Sequence, residues 1–281
     1  MELSKLKKIL EDKILNDTEI IDSREHNIPN LNKLRISQLT KEQISSLTEL
    51  QISCLSKDQI SCLTGLQISY FSEDQISCLT KYHISCLTGL QISYLTEDQI
   101  SWLSKDQISC LSKDQISWIT EDQILCFSGL QISWFTELQI SWFYGYQISC
   151  LSKDQISWLS KDQISWLTKD QISWFSGLQI SYFTVLQISW FTGLQISCFS
   201  KNQISYLSKD QISWISGLQI SCLYEYQISC FSKEQISWIT EDQISWFNKL
   251  QSECLLKAIN NLKKIKKGEN IMELSKKGVK K

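Results

Sequence analysis

From Arg35 to Leu250 the chain is one octapeptide written 27 times, with the consensus Gln-Ile-Ser-x-Leu-Ser/Thr-Lys-Asp. Its second position is Ile in every copy, from Ile36 to Ile244. A unit of eight residues cannot close a hydrophobic core of its own, so the copies must bury their apolar groups against one another in a stacked array. The length of 281 residues therefore sets the number of stacked units, not the number of separate cores.

Arithmetic excludes one continuous helix. At about 100° per residue, eight residues advance by roughly 800°, so the Ile stripe would slip by roughly 80° per copy and wind around the axis. Position 6 restarts the helix instead. It is Ser or Thr in 24 of the 27 copies, the exceptions being Tyr144, Tyr224 and Asn248. The Gln of the next copy follows three residues later, as in Ser56-Lys-Asp-Gln59, which is the capping-box pattern. Asp at position 8 then falls in the first helical turn, where it complements the helix dipole. Ile and Leu, three apart, share a face. The expected fold is an all-α solenoid of short two-turn helices, one per repeat. The rival is a β-solenoid of eight-residue strand-turn units, since Gln-Ile-Ser-Trp-Leu is rich in β-branched and aromatic residues. A strand would put Ile on one face and Leu on the other, and the helix gives a role to more of the recurrent positions.

The flanks depart from the repeat. Residues 1–34 carry Leu3, Leu6, Leu10 and Ile14 at helical spacing and read as an N-terminal helical cap. Residues 251–268 read as a C-terminal capping helix with Leu255, Leu256, Ile259, Leu262 and Ile265 on its apolar stripe, and 269–281 as a basic, disordered tail. Charge is uneven. The repeat, residues 35–250, holds 13 Lys/Arg against 20 Asp/Glu, and the segment from Gln251 onward holds 9 Lys against three Glu. The body is thus a poor match to nucleic acid. Lys263, Lys264, Lys266 and Lys267 are a candidate basic contact, for which a solvated tail is the plainer reading. The sequence has no apolar run near the ~20 residues that a bilayer requires and no secretory leader. An intracellular, cytoplasmic protein with free thiols is therefore expected, with nuclear import through the basic tail as the alternative.

Variation concentrates at position 4. All 11 Trp, all 11 Cys (Cys254 in a decayed copy) and four of the nine Tyr stand there. Their codons are one base apart, so drift among copies of one ancestor accounts for the set. Position 8 is acidic in some copies and apolar in others, and Gly at position 7 is followed by Leu or Tyr. In 99–146 and again in 147–194, three polar octads precede three apolar ones, which points to duplication of a unit of six octads. If the blocks align, Trp134, Trp142, Trp158, Trp166, Trp174, Tyr182, Trp190, Leu130, Leu138, Leu178, Leu186 and Leu194 form an interaction face; the alternative is a second core layer. Cys54/Cys62, Cys78/Cys86 and Cys222/Cys230, eight apart, would meet if successive copies stacked. No metal or cofactor is expected, because Cys-x-x-Cys is absent and His26 and His83 are the only histidines. Nothing assembles a nucleophile with a base, so an enzyme is not expected.

The junction Leu-Ser/Thr-x-x-Gln-Ile-x-x-Leu resembles that of low-complexity octapeptide-repeat proteins whose copies read LTxxQIxxL. The resemblance covers Arg35 to Leu250 and implies a repeat type without implying an activity. The start Leu-Thr-x-x-Gln is also similar to the opening of the DNA-reading repeats of plant-pathogen effectors, and there it implies local helix-start geometry alone. The functions these features suggest are a scaffold or protein-interaction surface, a self-assembling or fibre-forming repeat, or a nucleic-acid contact through the Lys-rich tail. The expected partner is accordingly a protein, or a second copy of the chain, and not a membrane.

Overall fold

The computed structural model describes residues 36–261, of which 64% are helical and none forms a strand. The expected capping segment 1–34, the candidate contacts Lys263, Lys264, Lys266 and Lys267, and the tail 269–281 lie outside these residues. Each octad contributes one helix, from Lys41–Ser45 to Glu241–Ser245. Each is four to six residues long, closer to one and a half turns than two. So short a helix has almost no interior hydrogen bonding, and its ends decide whether it forms.

Both ends are satisfied by the repeat. At Thr48 the Gln51 amide donates to the threonine hydroxyl at 3.3 Å, and the Thr48 amide donates to Gln51 Oε1 at 2.8 Å. The same reciprocal pair recurs at other Ser and Thr caps along the array. Tyr144 and Tyr224 keep only the return bond to the following Gln, and Asn248 restores both through its own side chain. Position 3 seals the helix further, as the Ser117 hydroxyl donates to the Asp114 carbonyl at 2.6 Å. Positions 5 and 6 are extended, as at Leu103 (φ −60°, ψ 128°) and Ser104 (φ −78°, ψ 165°), and this pair of residues makes the corner to the next helix.

Each helix packs on the one three octads away. Among residues 36–126, Glu49–Ser53 packs on Glu73–Cys78, and Gly65–Ile68 on Gly89–Ser93. Among residues 127–261, Glu137–Ile140 packs on Lys161–Trp166, and Gly145–Ser149 on Lys169–Trp174. One turn of the solenoid is thus three helices, made by three octads. Residues 36–126 and 127–261 belong to two compact units that each have this arrangement.

The core of each unit is the inward column of Ile at position 2 and Leu, Phe or Ile at position 5. Ile156 is 0% and Leu159 2% exposed. Where position 5 is Phe, successive rings meet edge to face around the turn: Phe175, Phe183, Phe191 and Phe199 have centroids 5.2–5.5 Å apart. Such pairs add about 1 kcal/mol each beyond their buried area.

The turns are stapled together by the Gln side chains. The Nε2 group of Gln163 donates to the Ile132 carbonyl at 2.9 Å and the Phe135 carbonyl at 2.7 Å, 31 and 28 residues earlier. Gln107 makes the same bonds to Ile76 and Leu79, and Gln203 to Ile172 and Phe175. The accepting carbonyls end one helix and begin the corner after it; the first, at Ile132, also accepts from the Phe135 amide at 3.3 Å, and the Gln side chain supplies the second bond. One Gln therefore caps its own helix with Oε1 and closes the corner of the preceding turn with Nε2. No buried side-chain polar atom among the described residues is left without a partner. Beyond the last regular octad a longer helix occupies residues 249–261.

Candidate functional site

With positions 1, 2 and 5 committed to the core and position 6 to the cap, positions 4, 7 and 8 on the outer surface vary enough to carry function. They interlock between turns. Position 4, at the helix C-terminus, lies over position 7, at the N-terminus of the helix one turn earlier. The Cys110 thiol faces the Lys81 carbonyl, 29 residues back, at 3.4 Å. Lys41 sits 5.5 Å from the Tyr70 ring and Lys153 6.0 Å from the Tyr182 ring, both in the same register.

Gly at position 7 has its explanation here. A methyl group on Gly89 would collide with the Trp118 ring at Cδ1, and one on Gly145 with the Trp174 ring at the same atom. Each ring lies against the start of the earlier helix, and a residue without Cβ admits it. Six of the seven glycines in the array face Trp or Tyr in this way, and Gly193 faces Cys222. Position 8 reaches the same junction, since the Gly129 amide donates to the Asp154 carboxylate at 3.2 Å.

The three helices of a turn face three directions, so the candidate surface residues divide among three sides. In the unit of residues 127–261, one side carries Leu138, Trp142, Trp166, Leu186 and Trp190. A second carries Leu130, Trp134, Trp158, Leu178 and Tyr182, and the third Trp174 and Leu194. The blocks of three polar and three apolar octads have a structural meaning in this geometry. Three octads are one turn, so the block 147–194 is two turns, one charged and one apolar. In the octads of that block and the three apolar ones before it, the apolar residues of position 8 therefore ring the solenoid at alternate turns instead of filling one face. Trp158, Trp166, Trp174, Leu130, Leu138, Leu178, Leu186 and Leu194 are exposed, whereas Trp134, Trp142, Tyr182 and Trp190 are half-buried. The expectation of a second core layer does not describe these side chains, which stay at the surface.

One side is distinctive. Trp142, Trp166, Trp190, Trp214 and Trp238 recur at every third octad, so each turn of that side carries a tryptophan. In the unit 36–126, Tyr70, Tyr94 and Trp118 share a side at the same spacing. Reading one octad at a time does not reveal this; sorting position 4 by every third copy does.

The thiols are free. Cys54/Cys62, Cys78/Cys86 and Cys222/Cys230 do not stack, because residues one octad apart lie on adjoining sides of a turn. Residues that share a side are three octads apart, as Cys62, Cys86 and Cys110 are. Burial raises the pKa of Cys78, Cys110 and Cys126, and Glu49 and Glu97 add to the shift at Cys78 and Cys126, which disfavours the thiolate. No group of His, Cys, Asp or Glu suited to a metal occurs among the described residues. His83 takes the place of Gln and does the same work. Its Nδ1 accepts from the Thr80 amide at 3.3 Å, and its ring also bonds to the Leu55 backbone in the turn before. Burial pushes its pKa down.

No helix among the described residues is long and apolar enough to cross a membrane. No protein-family model, curated protein or solved structure matches the chain.

Proposed function

We propose that this protein is a non-enzymatic scaffold, whose solenoid holds its variable outer side chains at fixed steps for assembly with proteins. The observation that carries the reading is the recurrence of large apolar side chains on the outside of a well-packed array. Trp158 is 47% exposed and Leu186 50%, while the position-2 Ile residues from Ile44 to Ile228 are sealed. Exposed aromatic and aliphatic groups set among charges are what protein interfaces are made of. The strict repeat supports the same reading, because it multiplies one surface and creates no unique constellation of acid, base and nucleophile.

Site-specific photo-crosslinking tests it. A photoreactive phenylalanine at Trp158 should capture proteins in extract, in a way that excess unlabelled chain competes. The same group at Lys153, which begins the helix that Trp158 ends, is the control. Equal, non-competed labelling from both positions would refute a specific surface.

A further inference from the structure

We infer that the tryptophan side of the unit formed by residues 127–261 pairs with the same side of a second copy of this chain. The inference rests on the scaffold reading and names one occupant for one surface. Along this side, turns with Leu at position 8 alternate with charged ones from Leu138 to Asp210, and a fifth turn carries Lys233 and Glu234. The turn of Glu137–Ile140 presents Leu138, that of Lys161–Trp166 presents Lys161 and Asp162, that of Val185–Trp190 presents Leu186, and that of Lys209–Trp214 presents Lys209 and Asp210. Trp166 and Trp214, each about half exposed, stand at the junctions after Leu138 and Leu186.

This strip is its own complement. Each charged turn offers one ammonium and one carboxylate with no net charge, and each apolar turn offers a Leu, the first of them beside the carboxylate of Glu137. Set against itself in a parallel two-fold pair, Leu138 and Leu186 meet their counterparts and each Trp level meets a Trp level. The flexible stem of Lys161 reaches Asp162 of the second copy, and Lys209 reaches Asp210 likewise. A foreign protein would need the same two-turn alternation to match as well, and a second copy has it by construction. The size also fits. Five turns at the ~9 Å spacing of packed helices give a strip about 45 Å long, and a width of about 15 Å makes it comparable to the ~800 Å² per partner of a standard interface.

Sedimentation velocity on the full chain under reducing conditions tests the pairing. The wild type should run as a dimer at micromolar concentration. K161E/K209E and D162K/D210K should each weaken association at least tenfold, and their equimolar mixture should restore it as a heterodimer. Position 7 is Glu in other copies of the repeat, so the first variant folds on precedent; circular dichroism equal to wild type verifies both. A wild type that stays monomeric at about 100 μM would overturn the proposal. So would charge variants that associate as the wild type does, or a mixture that fails to recover. Competed crosslinking from Trp158, on a different side, would persist in that case and leave the scaffold reading standing, whereas its loss with the dimer intact would confine the scaffold to self-assembly.

Discussion

Replacing Gln163 by glutamate isolates the staple between turns from the cap. The two side chains have nearly the same shape. One oxygen of the introduced carboxylate still accepts from the Ser160 amide, as Gln163 Oε1 does at 2.8 Å, so the helix start is preserved. The Nε2 donor is lost. The carbonyls of Ile132 and Phe135, now 2.9 and 2.7 Å from a donor in a site only 2% exposed, would face an oxygen instead. The Ile132 carbonyl keeps the Phe135 amide at 3.3 Å, so the Phe135 carbonyl alone loses its donor; leaving one buried acceptor unpaired puts the loss at about 1–3 kcal/mol. The introduced carboxyl is buried beside two carbonyls, so its pKa in the folded state rises above the unfolded value of about 4.3. A raised pKa means that the folded state binds the proton more tightly. The defect is therefore largest above the folded pKa and shrinks as pH falls towards the unfolded value, where the protonated acid regains one donor. Urea denaturation of Gln163→Glu at pH 9 and pH 5, followed by circular dichroism, reads both effects. Hydrogen exchange should show the weakening spread to the turns on either side, since neighbours share the interface. A variant as stable as wild type at pH 9, within about 0.5 kcal/mol, would refute the staple, because a hydrogen bond to a buried acceptor is worth at least that.

Three further perturbations probe other parts of the array. Gly89→Ala should displace the Trp118 ring, shifting tryptophan emission to the red at a cost of about 1–3 kcal/mol, and Gly89→Ala combined with Trp118→Ala should recover most of that loss in a urea melt. The His83 pKa is lowered in the folded state, so the neutral ring stabilises the fold above its unfolded pKa of about 6.5, and this contribution declines as pH falls below that value. Thermal melts between pH 7.5 and 5 should show the decline in wild type and its reduction in His83→Gln; identical profiles would exclude His83 as its source. Ile156→Asn puts an amide where a fully buried side chain stands, and limited proteolysis should open several neighbouring octads together at a rate well above wild type.

The octad makes half of this architecture legible. Ser/Thr-x-x-Gln reads directly as a capping box, and Ile and Leu three apart read as a buried face, because both are interactions within one repeat or across one junction. What the octad does not contain is the number of helices per turn. That number depends on the corner made by the extended residues at positions 5 and 6, and on carbonyls 28 and 31 residues away. The clue was present in what position 1 avoids. Gln occupies 25 of the 27 copies and Glu none, although Glu also completes a capping box; the Gln amide, or the His83 ring, both accepts and donates. The surface suffered from the same gap. Trp142, Trp158 and Trp174 look equivalent in the repeat, yet they lie on three different sides once three octads make a turn. The contact between Gly89 and Trp118 joins two helices a full turn apart, which no local pattern links.

The turn of three octads is the central claim, and distances along one side test it most directly. Spin labels carried on an unnatural ketone side chain, which leaves the cysteines untouched, would be placed at Lys153, Lys201 and Glu225, all at position 7 of one side. With about 9 Å between packed helices, pulsed electron-electron resonance should find roughly 18 Å for the pair 153/201 and roughly 27 Å for 153/225, both narrowly distributed. Distances that fail to grow in step with each added turn, or broad distributions at both spacings, would contradict the three-helix turn.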